Sequence, residues 1–208
     1  MQTIAIVDYG MGNLRSVAKA FAHVAPDQHV MITANAEEIA AADRVVLPGQ
    51  AAMPESMAAL NASGLRDVLW TASKDRPFFG VCLGLQMLFE TTEEGDVPAL
   101  GYLPGRTVRF PLQHRDYDGT ALKVPHMGWN RLRRLHEDPL LEGLGDEDYM
   151  YFVHSFAAPI SSSTLAATEY GTEFSAVVRN GNFWGAQFHP ERSAAPGARL
   201  LANFLRLQ

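Results

Sequence analysis

The chain has 208 residues, 47% of them hydrophobic, and its 23 acidic against 17 basic side chains leave a formal net charge of −6. That length supports one substantial core, read as a single domain over residues 1–208. The acid excess, with no basic stripe, excludes a nucleic-acid binder. The longest apolar stretch, around residues 77–89, is too short and too glycine-rich to cross a bilayer. A single cysteine excludes an intrachain disulfide and fits a reducing, cytoplasmic location.

The opening Met1–Asp8 shows no basic leader and reads as a first strand over Thr3–Val7, ending in Asp8-Tyr9-Gly10. Leu14, Val17, Ala18 and Phe21 then recur at helical spacing, with Asn13 as the expected N-cap. Strands are predicted at residues 29–33 and 44–47, on either side of an alanine-rich stretch, and Pro48-Gly49 is expected to stop the second. Helical pattern resumes over 54–60 and 65–72. A buried strand at 77–81 is followed by a predicted helix over 83–90. This alternation implies a mostly parallel sheet covered on both faces. Beyond about Gly95 strands dominate: 106–110, 121–124, 130–135, 149–153, 165–170, 175–179 and 183–188, with Asn180-Gly181 as a two-residue hairpin turn. A last helix begins near Pro196, with Leu200, Leu201, Phe204 and Leu205 on one face. The fold class is therefore α/β: a central, mostly parallel sheet flanked by helices, with additional antiparallel strands.

Chemistry concentrates in two segments. In Gly80-Val81-Cys82-Leu83-Gly84 the only cysteine sits where a buried strand turns sharply into a helix, with glycines on both sides to permit close backbone approach. Such an elbow projects the sulfur, and the helix N-terminus favours its anion. A free cysteine is equally at home as a small buried hydrophobe. In Gln187-Phe188-His189-Pro190-Glu191 the proline biases His189 to extended backbone, so His189 and Glu191 share a face, as a base and its orienting carboxylate should. In isolation this is also how a surface histidine near a carboxylate would read.

Leu47-Pro48-Gly49-Gln50-Ala51, after a buried strand, presents backbone N–H groups of the kind an oxyanion hole needs, although Pro-Gly is commonly only a turn. Gly10-Met11-Gly12-Asn13 lacks the third glycine of a dinucleotide loop, so no nucleotide cofactor is implied. No histidine spacing or cysteine pair suggests a metal. The polar pair His154-Ser155 could sit in a core strand or bind a substrate's charged end.

These motifs, together with Asp8–Asn13, Pro125-His126-Met127-Gly128-Trp129-Asn130 and Tyr151-Phe152-Val153-His154-Ser155, resemble the class I (triad) glutamine amidotransferases over essentially the whole chain. More narrowly they resemble the glutaminase subunits of imidazole glycerol phosphate synthases. The resemblance implies hydrolysis of glutamine to glutamate and ammonia without a cofactor or metal. It also implies a heterodimer in which the ammonia passes to a (βα)8 cyclase subunit, within histidine biosynthesis. Carried over by motif, Cys82 is the nucleophile, His189 the acid/base and Glu191 its orienter. Gly49, Gln50 and the backbone N–H of Leu83 match the oxyanion hole. Gln86, Glu94, Ser155 and Phe156 match substrate-binding positions, and Asn13, Trp129, Tyr151 and Arg192 match positions facing the cyclase.

Two departures stand out. Ala51 replaces a common glycine, which strains the chain if positive φ is needed there. Arg192 replaces a common lysine, exchanging a compact ammonium for a planar fork. The alternatives are an amidotransferase subunit serving anthranilate, guanylate or pyridoxal phosphate synthesis, and a non-catalytic redox sensor in which Cys82 is merely oxidisable.

Overall fold

The computed structural model describes residues 1–111, 115 and 118–208. The first half runs β1 (Thr3–Val7), α1 (Leu14–Val24), β2 (His29–Thr33), α2 (Ala36–Ala41), β3 (Arg44–Gly49), α3 (Met53–Ser63), α4 (Arg66–Asp75), β4 (Phe78–Cys82), α5 (Leu83–Gln86) and β5 (Phe89–Thr92). The second half runs β6 (Leu103–Arg109), β7 (His126–Arg131), β8 (Arg133–Arg134), β9 (Tyr149–His154), β10 (Phe156–Ala157), β11 (Thr164–Glu169), β12 (Glu173–Asn180), β13 (Phe183–Ala186) and α6 (Ala194–Phe204).

One sheet organises the molecule, in the order β2-β1-β3-β4-β13-β12-β11-β8. From β2 to β13 neighbouring strands are parallel, and from β13 to β8 they are antiparallel. β10-β6-β5 and β7-β9 form two small accessory sheets. The α/β class expected from the alternation is the one observed.

Because side chains alternate across a strand, β1 feeds two cores. Ile4 and Ile6 pack with Val17 and Phe21 of α1 and with Leu200, Leu201 and Phe204 of α6. Ala5 and Val7 pack on the other face with Ile39, Met57, Leu60 and Leu69 from α2, α3 and α4. Burial on both faces explains why these strands read as unbroken apolar runs.

Several local expectations need correction. Pro48-Gly49 does not stop β3, which continues through Gly49 beside β4. The ladder to β1 ends at Val46, so the missing N–H of Pro48 falls where no bond to β1 is required, and its carbonyl accepts from Tyr9 Oη at 3.1 Å. The helix expected over 83–90 is a single turn ending at Gln86. The chain instead enters β5, where Phe89, Thr91 and Thr92 pair with Leu103, Arg106 and Thr107 of β6, and the carbonyls of Met87, Leu88 and Phe89 accept from the N–H groups of Leu100, Tyr102 and Gly101.

Residues 121–124 form no strand; Ala121 makes one isolated bridge to Arg115, and the Lys123 carbonyl accepts from the Tyr170 hydroxyl. The β12–β13 hairpin turns one position later than expected, at Gly181-Asn182, with Asn180 and Phe183 paired and Gly181 at φ 59°. Asn13 precedes α1, but its side chain makes no capping bond.

Arg44 ties the sheet to the C-terminus. The residue is 4% exposed, and its guanidinium donates to the carbonyls of Phe204 (3.3 Å) and Leu207 (2.6 Å), which lie at and just beyond the end of α6. Charge-assisted bonds to carbonyls at a helix end are worth more than neutral ones. Arg44→Met should therefore lower the unfolding free energy by about 2 kcal/mol in urea titrations. An unchanged midpoint would show that the C-terminal residues are held by packing alone.

Candidate active site

The elbow after β4 is built on absent side chains. A Cβ on Gly84 would lie 1.8 Å from the Leu47 carbonyl oxygen of β3, and one on Gly80 would lie 2.7 Å from the Gly84 oxygen. With glycine at both places the start of α5 lies directly against β3 and β4, forcing the turn onto Cys82 itself. Cys82 takes φ 54° and ψ −110°, a conformation L-residues seldom adopt. The thiol is 7% exposed but lines a cavity, so the sulfur is screened from bulk solvent and still open to a small ligand. The single turn of α5 offers little macrodipole, so the helix contributes less to the sulfur anion than the expected two-turn helix would have.

His189 enters from β13 through a short turn. Its backbone N–H donates to the Tyr151 carbonyl of β9 (2.9 Å), while Ser193 Oγ donates to its carbonyl (2.7 Å) and accepts from Tyr151 N (3.0 Å). Nδ1 lies 2.8 Å from Glu191 Oε1, with the two side chains 3% and 2% exposed. This juxtaposition is the shared face expected from the sequence. It leaves Nε2, which has no hydrogen-bond partner among the described residues, for the thiol and a ligand. Burial opposes a charge on the ring. The proximity of Cys82 and the hydrogen bond and charge of Glu191 outweigh burial and push the His189 pKa up to about 10. The arrangement therefore favours an imidazolium beside the sulfur, and that imidazolium can hand a proton to a departing amine.

A cavity of about 360 Å³ joins these groups to the other expected positions: Gly49, Gln50, Leu83, Gln86, Glu94, Ser155 and Phe156 all line it. Their available valences differ. Gln86 Nε2 donates to the Phe156 carbonyl (2.8 Å) and to Gln187 Oε1 (3.0 Å), so its side-chain oxygen remains for a ligand. Glu94 Oε2 accepts from the Met53 N–H (3.0 Å), supplying the cap that Ala52 cannot give to α3. Burial raises the Glu94 pKa; the Met53 bond and Arg109 lower it, but do not cancel the rise.

His154 also lines the cavity, but it is no charged anchor. Its Nδ1 donates to the Phe156 carbonyl at 2.8 Å, and its Nε2 lies 3.3 Å from His126 Nδ1. Burial pushes the pKa down to about 3 for His154, with His126 adding to the effect, and to about 4 for His126. Both stay neutral, and the carbonyl acceptor assigns a donor to His154 Nδ1 and hence to His126 Nδ1.

Outside the cavity, Trp129, Tyr151 and Arg192 form one exposed-edge cluster. Trp129, 52% exposed, meets Tyr151 edge-on at 5.7 Å, and the Arg192 guanidinium lies 4.4 Å from the Tyr151 ring centroid. Asn13 is exposed at the start of α1. No metal-holding cluster of histidine, cysteine or carboxylates occurs among the described residues.

One residue beside the sulfur, Gln187, escaped notice in the sequence because glutamine carries no titratable group. Its position two residues before His189, on the same face of an extended segment, was the available signal.

Ala51 has φ 129°, so the strain expected from alanine in place of glycine is present in the structure. Ala51→Gly should raise the unfolding free energy by about 1 kcal/mol, strain relief exceeding the added entropy of the unfolded chain. A denaturation midpoint at or below that of the native chain would refute this.

His189, raised above its ordinary 6.5 to about 10, contributes stability that is complete below pH 6.5 and lost as pH rises through 10. NMR titration should show its ring losing the proton near the upper value, and at clearly lower pH in Cys82→Ser. Identical titrations would mean that the sulfur does not act on the ring.

The glutamine amidotransferase class-I family matches residues 5–207. The chain is 52% identical over 208 residues to the imidazole glycerol phosphate synthase subunit HisH of Aromatoleum aromaticum, covering 99% of this chain and 98% of that one. It is 49% identical over 210 residues to the HisH subunit of Dechloromonas aromatica, covering 100% and 97%. In fold it is similar to the structure of PurLQS from Thermotoga maritima, with a TM-score of 0.72, 17% identity and coverage of 99% and 98%. A strand-to-helix elbow bearing a thiol, a histidine–carboxylate pair beside it and this likeness along the full chain have one common account: the chain belongs to the class-I glutamine amidotransferase family, in the branch of the imidazole glycerol phosphate synthase HisH subunits.

Proposed function

We propose that the chain is the glutaminase subunit of an imidazole glycerol phosphate synthase, acting in the cytoplasm as a heterodimer with a (βα)8 cyclase subunit. The observation that carries the reading is the single cavity lined by Cys82, His189, the Gly49–Gln50 backbone and the polar groups of Gln86, Glu94 and Ser155. Glutamine enters with its amide carbon against Cys82 Sγ. Glu94 and the free oxygen of Gln86 receive its ammonium end, and the Ser155-Phe156 segment its carboxylate.

The thiolate attacks, the S–C bond forms, and the carbonyl electron pair becomes an oxyanion held by backbone N–H groups of Gly49, Gln50 and Leu83. His189 Nε2–H passes its proton to the amide nitrogen as the C–N bond breaks, releasing ammonia and leaving a γ-glutamyl thioester. The neutral imidazole, held in its tautomer by Glu191, then takes a proton from water. Hydroxide adds to the thioester, the C–S bond breaks, and glutamate leaves with the thiolate restored.

Ammonia then passes to the partner, which uses it to form imidazole glycerol phosphate and aminoimidazole carboxamide ribonucleotide. The cluster of Trp129, Tyr151 and Arg192, with Asn13, supports a docking face. The His189 N–H bond to Tyr151 links that face directly to the acid/base.

The test is ammonia release from glutamine by the chain alone and with a (βα)8 cyclase subunit carrying its nucleotide substrate. Release should be slow alone and faster in the occupied complex, and Cys82→Ser should lower it at least about a thousandfold. Equal rates with and without the cyclase would remove the proposed partner dependence, and activity retained in Cys82→Ser would remove the thioester.

A further inference from the structure

A directed row of amides ends on the sulfur. The Phe156 carbonyl can only accept, so it fixes which end of Gln86 faces it: Nε2, at 2.8 Å. The same nitrogen lies 3.0 Å from Gln187 Oε1, which therefore serves as the acceptor. With its oxygen held there, Gln187 presents Nε2 to Cys82 Sγ at 3.9 Å. Gln187 is fully buried, so no bulk solvent competes for its amide. Besides His189, the other polar group near the sulfur is the Val153 carbonyl, also at 3.9 Å, which can accept from a thiol but offers nothing to its anion.

We infer that Gln187 is a further catalytic residue, whose side-chain N–H donates to the Cys82 sulfur whenever that sulfur is negative. At 3.9 Å the contact is weak toward a neutral thiol, and an anion draws the same donor closer. The sulfur is negative twice in the cycle, before attack and again as the thioester is cleaved, so one fixed donor serves both steps. The role depends on orientation: a Gln187 amide turned end for end would set its oxygen against the thiolate. Gln86, by holding Gln187 in register, is thereby a positioning residue for the nucleophile as well as a wall of the cavity. The inference rests on Cys82 being the glutaminase nucleophile.

Its test needs no glutamine. The rate of Cys82 alkylation by iodoacetamide is measured against pH for the native chain, Gln187→Met and Gln86→Met. Methionine fills a similar volume without a donor. In Gln187→Met the half-maximal pH should move up by about one unit, with about tenfold slower alkylation on the acid side of the transition. Gln86→Met should shift it in the same direction by less.

In the cyclase complex, Gln187→Met should lower kcat about tenfold and leave KM within about twofold. A purely structural Gln187 would lower the melting temperature and leave the alkylation profile in place; superimposable profiles for native chain and Gln187→Met overturn the inference. Should Gln187→Met not fold, the native chain still decides the matter. The Gln187 side-chain N–H resonances should shift over the pH range in which Cys82 becomes reactive, and resonances that stay still overturn the inference. Failure of the proposed function would appear separately, as glutamine hydrolysis surviving Cys82→Ser.

Discussion

The active site depends on one close approach: the first turn of α5 against the ends of β3 and β4. Only hydrogen fits at the α-carbons of Gly49, Gly80 and Gly84, since a Cβ at any of them meets backbone or the Leu83 side chain at 2.7 Å or less. That contact throws the chain back at Cys82, places the sulfur at the mouth of a cavity and sets the end of β3 beside it. A longer helix would have spread its dipole over more turns. Here the electrostatic support comes instead from His189, whose imidazolium is favoured by the sulfur and by Glu191 against the cost of burial.

The two halves of the chain contribute different kinds of precision. The parallel half supplies the elbow and the Gly49–Gln50 segment facing it, from strands buried on both faces. The antiparallel half supplies His189 and the cavity wall, with β9 as the common support. Tyr151 holds the His189 backbone, the Val153 carbonyl reaches the sulfur, and Ser155-Phe156 line the cavity. Tyr151 also carries Trp129 and Arg192 on its outer side, so a single hydrogen bond separates that surface cluster from His189.

Strain is distributed unevenly in this site. Cys82 and Ala51 both hold positive φ, one under the thiol and the other on the facing loop. Neither is a glycine, so each conformation persists only because the surrounding contacts over-determine it. Tyr9 provides part of that restraint near Ala51, donating to the Pro48 carbonyl and touching Met87 Sδ at 3.7 Å just beyond α5. One buried hydroxyl thus fastens the loop to the elbow.

Pattern alone determined a good deal. Apolar runs at Thr3–Val7, 44–47 and 77–81 announced strands buried on both faces, and the period of Leu14, Val17, Ala18 and Phe21 announced the face of α1. The glycines around Cys82 and the two-residue spacing of His189 and Glu191 were likewise legible, because each reflects a local backbone demand. What only the tertiary structure decided is non-local. Helix 83–90 stops after one turn because the chain from Phe89 onward pairs with β6, and β3 runs through Pro48 because no β1 partner remains there to need its N–H. The neutrality of His154 comes from burial beside His126, and the aim of Gln187 comes from an acceptor 31 positions earlier in the chain, relayed through Gln86. Local sequence sets what each residue can donate, accept or bend; which partner claims that capacity is settled by segments far away in the chain that fold against it.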